Sequence, residues 1–219
     1  MNDAIEIQND QNLTFFGEIN ANISHELKNI FAIISETAGL LNDLTVLAEK
    51  GKKIDMDMFK TCSQDIEEEI QRGFATVKQL NSFSHSVDTS IESVYLMDVL
   101  ELMINIAGFL SYASKIRVNP PPGAELRILT CPFQLQRLIY QALVFAFKTT
   151  GPEAEIQISI YPEKGGIRIT FSDLGELNDG NLSIDKIFSI AASIDAEVFI
   201  TDDFQAFDIL VPEAIKTIN

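Results

Sequence analysis

Of the two histidines in the 219 residues, His25 has the richer chemical surroundings. It stands within Asn22-Ile23-Ser24-His25-Glu26-Leu27-Lys28-Asn29-Ile30. An exposed imidazole can attack a phosphoryl group in line, and an adjacent carboxylate can hold its other nitrogen in the tautomer that the attack needs. Glu26 is adjacent. Asn29 lies four residues on, on the same helical face, where its carboxamide can orient a water or a phosphoryl oxygen. His85 has no such setting and reads as a surface residue.

The element that must carry His25 is a long helix. From Leu13 to about Ala48 there is no proline, and Phe16, Ile23, Leu27, Ile30, Ile34, Leu41, Leu44 and Ala48 recur with a heptad-like step, interrupted at Asn20 and Thr37. With Ile23 and Ile30 at d positions, His25 falls at f, opposite the seam, where an imidazole gains no burial. A core role is therefore a poor explanation, whereas an ordinary solvated histidine explains the spacing alone equally well. Glu49-Lys50-Gly51-Lys52-Lys53 supplies a stop and a turn. Asp55 or Asp57 can then cap a second helix with its stripe at Phe59, Ile66, Ile70, Val77, Leu80 and Val87. One antiparallel hairpin leaves each stripe half covered, so a homodimer closing a four-helix bundle is expected.

After a short connection at Thr89–Glu92 the pattern changes. A helix is expected from Val94 to about Ala113, a forced turn at Pro120-Pro121-Pro122-Gly123, and a buried helix from Leu135 to Lys148. Two alternating runs, Ala154–Tyr161 and Ile167–Ser172, flank Glu163-Lys164-Gly165-Gly166 as a hairpin. A helix near Ile184–Ile194 precedes a strand pair at Glu197–Thr201 and Ala206–Val211. The expected fold class is α+β: a helical hairpin followed by an α/β sandwich with helices on one face of a mixed sheet. The domains read as an N-terminal arm at 1–12, the hairpin at 13–90 and the sandwich at 91–219.

Composition narrows the function classes. The chain is 46% hydrophobic and 22% charged, as expected of a folded globular protein. Its formal net charge of -16 repels phosphate backbones and anionic lipid surfaces, so neither nucleic acid nor a membrane is an expected partner. Cys62 and Cys131 have no spacing that suggests a disulfide framework or metal site, which fits a reducing cytoplasm. The N-terminus lacks a basic start and an apolar signal core, and no run is expected to approach a membrane span, so a complete, cytosolic protein is expected.

The segment Ser24-His25-Glu26-Leu27-Lys28-Asn29 resembles the H-box of sensor histidine kinases, set on the first helix of their dimerisation and histidine-phosphotransfer hairpin; the likeness covers residues 13 to 88. That resemblance implies that His25 is the phosphorylated residue and Glu26 its acid/base neighbour. It also implies that Glu26 with Asn29 is the pair used by members that dephosphorylate their regulator. In such kinases an ATP-binding domain of the Bergerat type follows, and residues 94–219 resemble its order of elements. Its functional boxes do not carry over. The run from Cys131 to Lys148 aligns with the family's N-box helix, but Phe145 stands where the magnesium-binding Asn belongs, and a phenyl ring offers Mg²⁺ no oxygen. Ser172-Asp173-Leu174-Gly175-Glu176-Leu177 resembles the adenine-site motif with its second glycine replaced by Leu177. Asp173 on its own reads as the end of a strand meeting a turn. The glycine-rich nucleotide loop is missing between Asn178 and Asp185.

A hairpin of this kind joined to an ATP domain without its boxes resembles the ChpT-type histidine phosphotransferases. That resemblance implies exchange of a phosphoryl group between His25 and the aspartate of a response-regulator receiver domain, in a phosphorelay that can include a hybrid histidine kinase. No cofactor of its own is implied, ATP is not used, and the receiver supplies the Mg²⁺. Asn22, Lys28 and Ala32 flank His25 on the exposed face and are the expected partner contacts. The alternatives are a non-catalytic pseudo-histidine-kinase regulator and a receiver aspartyl-phosphate phosphatase.

Overall fold

The computed structural model describes residues 2–108, 115–121, 123, 125–150, 155–174, 184–201 and 205–215, with side chains from residue 10 onward. The chain divides into two compact units, 1–82 and 83–219.

The first unit is a helical hairpin. Helix α1 runs from Asn2 to Glu49, so it starts well before Leu13, and the expected N-terminal arm at 1–12 is helical from its second residue. It ends in a Schellman motif. Gly51 adopts φ 76°, its N–H donates to the Ala48 carbonyl at 2.9 Å, and the Lys52 N–H donates to the Leu47 carbonyl at 3.1 Å. Helix α2, Met56–Ser84, is capped by Asp55, whose Oδ1 accepts the Asp57 N–H at 3.0 Å. Contacts between Glu26 and Arg72, and the approach of Ile30 to Gly73, fold α2 back antiparallel to α1.

The buried stripe of α1 is Phe15, Ile19, Ile23, Glu26, Ile30 and Leu44. That corrects the expected stripe by a fraction of a turn: Phe16, Leu27, Ile34 and Leu41 are half-buried and Ala48 is exposed. On α2, Cys62, Thr76 and Phe83 are buried, Phe59, Ile66 and Leu80 are half-buried, and Ile70 and Val77 are exposed, as is Val87 just beyond its end. The apolar arc of each helix is thus wider than what is covered, and Leu13, Phe31 and Phe74 remain largely open. By length and composition α1 also holds one stretch apolar enough to cross a membrane, where the sequence reading expects none. The Ile, Leu, Val and Phe residues between 30 and 47 keep its average high despite Glu36 and Asp43.

The second unit opens with β1 (Glu92–Tyr95) and α3 (Leu96–Gly108). There follow β2 (Lys115–Asn119), β3 (Arg127–Thr130), α4 (Pro132–Thr150), β4 (Glu155–Glu163) and β5 (Gly166–Ser172). Helix α5 (Asp185–Ala192), β6 (Glu197–Ile200) and β7 (Phe207–Pro212) complete it. Strands β1 and β3 pair antiparallel as a small sheet, and a five-stranded sheet has the order β2-β4-β5-β7-β6. Only β2 and β4 pair parallel within it, with α4 in their crossover; the remaining pairs are antiparallel. The expected mixed sheet is present.

Several boundaries differ from expectation. Val94 lies in β1, so the helix expected from Val94 starts at Leu96, and residues 109–114 lie outside the described residues. Strands β1, β2 and β3 are absent from the sequence reading; β1 and β3 have only four residues each and, unlike β6 beside β7, no partner strand next to them in sequence.

Alternation builds the core. Ile156, Ile158 and Ile160 of β4, Ile167, Ile169 and Phe171 of β5, and Phe207, Ile209 and Val211 of β7 are buried, while Gln157, Ser159, Arg168, Thr170 and Asp208 between them are half-exposed. Helix α4 starts with Pro132, whose missing N–H is no loss at a helix start, and buries Leu135, Leu138, Ile139, Tyr140, Ala142, Leu143 and Ala146 completely. The β4–β5 hairpin turns on Gly165 at φ 90°.

Candidate functional site

Because α1 is continuous through residues 22 to 32, the positions Asn22, His25, Asn29 and Ala32 stack along one helical face. His25, Lys28, Asn29 and Ala32 are exposed there and Asn22 is half-buried. Asn29 reaches the imidazole: its Nδ2 lies 3.3 Å from His25 Nδ1. Turned over, the carboxamide accepts an Nδ1–H through its Oδ1; with the NH₂ toward the ring, Nδ1 accepts and a neutral ring carries its proton on Nε2. In that tautomer the outward nitrogen has no lone pair to offer. For Nε2 to attack phosphorus, the ring proton must sit on Nδ1, and an acceptor must hold it there. One is near, the Oδ1 of Asn29 after a half-turn of its carboxamide; the carboxylate of Glu26 is the other candidate by sequence.

Glu26 is not at the imidazole. Successive helical residues project about 100° apart, so the neighbour of an outward His25 falls toward the seam. Glu26 is only 7% exposed, and its carboxylate is ion-paired and hydrogen-bonded to the guanidinium of Arg72 on α2. Arg72 also donates to both carboxylate oxygens of Glu69 at 3.2 Å. Partial burial acts to lower the Arg72 pKa, but the charge and hydrogen bonds of Glu26, then Glu69, outweigh it and hold the guanidinium above its ordinary value. Arg72 and Glu69 escape the sequence reading. Their (i, i+3) spacing is visible on α2, but the pairing of Arg72 with Glu26 depends on how far α2 folds back along α1.

In the second unit, Phe145 is turned into the core. It is 8% exposed and packs edge-on against Phe207, with ring centroids 5.5 Å apart and planes at 82°. Phe207 in turn stacks on Phe171 at 4.7 Å and 6°. Asp173 follows the last residue of β5 in the left-handed region, φ 61°, so the strand does end at a turn there. Gly175, Leu177 and the whole stretch to 183 lie outside the described residues. Among the described residues no group of three or more His, Cys, Asp or Glu is placed to hold a metal ion. His85 is exposed, with Nδ1 2.7 Å from Asp88 Oδ2 at the end of α2.

No family model and no curated protein matches the chain. Among solved structures it is similar to the catalytic domain of histidine kinase ThkA, at 12% identity and TM-score 0.49, over 58% of this chain and all of that one. It is also similar to the mycobacterial sensor histidine kinase MprB, at 13% identity and TM-score 0.46, over 57% of this chain and 99% of that one. A longer match is to the Acinetobacter baumannii histidine kinase AdeS, at 12% identity and TM-score 0.47, over 86% of this chain and 98% of that one.

Proposed function

We propose that the chain is a histidine phosphotransferase: His25 exchanges a phosphoryl group with receiver-domain aspartates in a two-component phosphorelay, without ATP. One observation carries the reading. An exposed imidazole stands mid-helix within Ser24-His25-Glu26-Leu27-Lys28-Asn29, with Asn29 in hydrogen-bonding reach of Nδ1, so that Nε2 is the nitrogen a docked partner meets. Phosphoryl transfer between an acyl phosphate and an imidazole asks the protein mainly for positioning and electrostatics, and Mg²⁺ comes with the receiver. Asn22, Lys28 and Ala32 form the contact surface around His25. The aromatic packing of Phe145 supports the ATP-independent half of the reading, because a ring held in the core neither binds Mg²⁺ nor leaves room for a residue that does. Phe31, Ile70, Phe74 and Val77, exposed on α1 and α2, support a homodimer with a four-helix bundle. Cys62 and Cys131, both free, support a reducing, cytoplasmic compartment.

The proximity of Asn29 to His25 also favours a second reading, a receiver phosphatase in which Asn29 orients a water. One experiment separates them. Mg²⁺-loaded phosphorylated receivers and, in parallel, labelled ATP are incubated with wild type and His25→Gln, and acid-labile phosphate is measured. Label passing from a receiver to wild type but not to His25→Gln, and none from ATP, is the expected result. Loss of receiver phosphate with no label on His25 selects the phosphatase. If neither occurs, the regulator reading stands, and labelling from ATP overturns the ATP-independent reading.

A further inference from the structure

We propose that Arg72 is a positioning residue that keeps Glu26 away from His25 in the free protein and yields it when a phosphorylated partner docks. The proposal rests on His25 being a phosphoryl carrier. Three observations meet here. The imidazole rests with Asn29 Nδ2 against its Nδ1, the arrangement that leaves the ring proton on Nε2 and the outward nitrogen without a lone pair. Glu26, next in the chain and an acceptor in its charged form, is drawn into the seam by Arg72. Arg72 itself is 47% exposed and holds Glu69 as well, so its guanidinium stands at the edge of the seam with open donors toward solvent.

A carboxylate in the seam is tolerated only while it is paired; without Arg72, burial drives it toward water. The free side of α1 next to Glu26 is the side of His25. A dianionic phosphoryl group approaching His25 competes for the same guanidinium, because arginine binds phosphate oxygens in the same forked geometry as carboxylates. Glu26 is then released toward Nδ1; the ring gives its Nε2 proton to water and takes one from water at Nδ1, where Glu26 accepts the hydrogen bond. The Nε2 lone pair attacks phosphorus, the N–P bond forms, and the P–O bond to the receiver aspartate breaks. The bonding pair leaves on the aspartate carboxylate, and the Nδ1 proton stays on the ring, hydrogen-bonded to Glu26. Glu69 keeps Arg72 tethered near the site throughout.

The test is the ¹⁵N–¹H spectrum of the full chain in a His85→Gln background, which leaves one imidazole, recorded where the ring is neutral. Wild type and Arg72→Lys are expected to show His25 with its proton on Nε2. Arg72→Ala is expected to move it toward the Nδ1–H tautomer, and adding Glu26→Gln to Arg72→Ala is expected to move it back. Identical spectra for wild type, Arg72→Ala and the double variant overturn the proposal. If Arg72→Ala does not fold, Glu26→Gln decides: a fall of about 10-fold or more in transfer from a phosphorylated receiver is expected, and an unchanged rate overturns it. Failure of the carrier reading is told apart by its own signature, absence of label on wild-type His25, which leaves the tautomer comparison intact.

Discussion

Replacing Phe145 by Asn restores, in the aligned position, the residue type that binds magnesium in kinases, and the geometry states what that would cost. The Phe145 ring is 8% exposed and lies edge-on to Phe207 at 5.5 Å. Removing a nearly buried phenyl group forfeits about 2–3 kcal/mol of apolar burial, and losing the edge-to-face pair adds about 1 kcal/mol. An amide left against Phe207 adds about 1–3 kcal/mol for its unmet hydrogen bonds. Phe145→Asn should therefore destabilise the second unit by about 4–7 kcal/mol, a large share of the roughly 5–15 kcal/mol that holds a domain together. Phe145→Leu, which keeps the hydrocarbon, should lose only about 1–1.5 kcal/mol. Urea unfolding followed by near-ultraviolet circular dichroism measures both, and calorimetry with Mg–ATP is run beside it. A loss below about 1 kcal/mol for Asn, or Mg–ATP binding gained by that variant, would refute the reasoning: the side chain would then face an open nucleotide cleft rather than the core.

The bundle reading predicts that Phe31→Glu and Phe74→Glu, which place charge on the open apolar flank of the hairpin, convert a dimer to a monomer in sedimentation while α-helical circular dichroism is largely kept. A wild type that sediments as a monomer counts against it. On the sheet, Arg168 donates to Glu163 at 3.0 Å and to Asp208 at 2.7 Å, and chiefly through the hydrogen bond, then through its charge, it holds the Glu163 carboxyl below the usual glutamate range. A folded pKa below the unfolded one gives stability that is full above the unfolded value and is lost as pH falls through the folded value. The stability gap between wild type and Arg168→Met should therefore be constant near neutrality and shrink on acidification below the ordinary glutamate range, read from unfolding midpoints across pH.

What was legible in the sequence followed the length of each signal. The hairpin is spelled out over more than ten turns of apolar repeat, with Gly51 and Asp55 marking its bend, and both perform the roles their types suggest. The β4–β5 hairpin was readable for the same reason, its alternation framing Gly165. Strands β1 and β3 were not, since four residues each, Glu92–Tyr95 and Arg127–Thr130, find each other across a helix and a further strand. At the site, exposure of His25 and its partnership with Asn29 are local consequences of helical spacing and could be anticipated. The withdrawal of Glu26 could not, because it depends on a guanidinium that reaches it from α2 only once the hairpin has closed. Adjacency in sequence was read as adjacency in space, which a helix does not grant.

The parallel pairing of β2 with β4 has a consequence for how the second unit assembles. Strands β4 and β5 meet across two residues, a closure measured in microseconds, while β2 finds β4 only after β3 and the whole of α4 have been laid between them. In a chain made from its N-terminus, the first strand of the five-stranded sheet waits with its backbone groups unpaired until one of the middle strands exists. The alternating Lys115, Arg117 and Asn119 along it keep that waiting segment charged and wetted, which blunts it as a template for pairing with other chains.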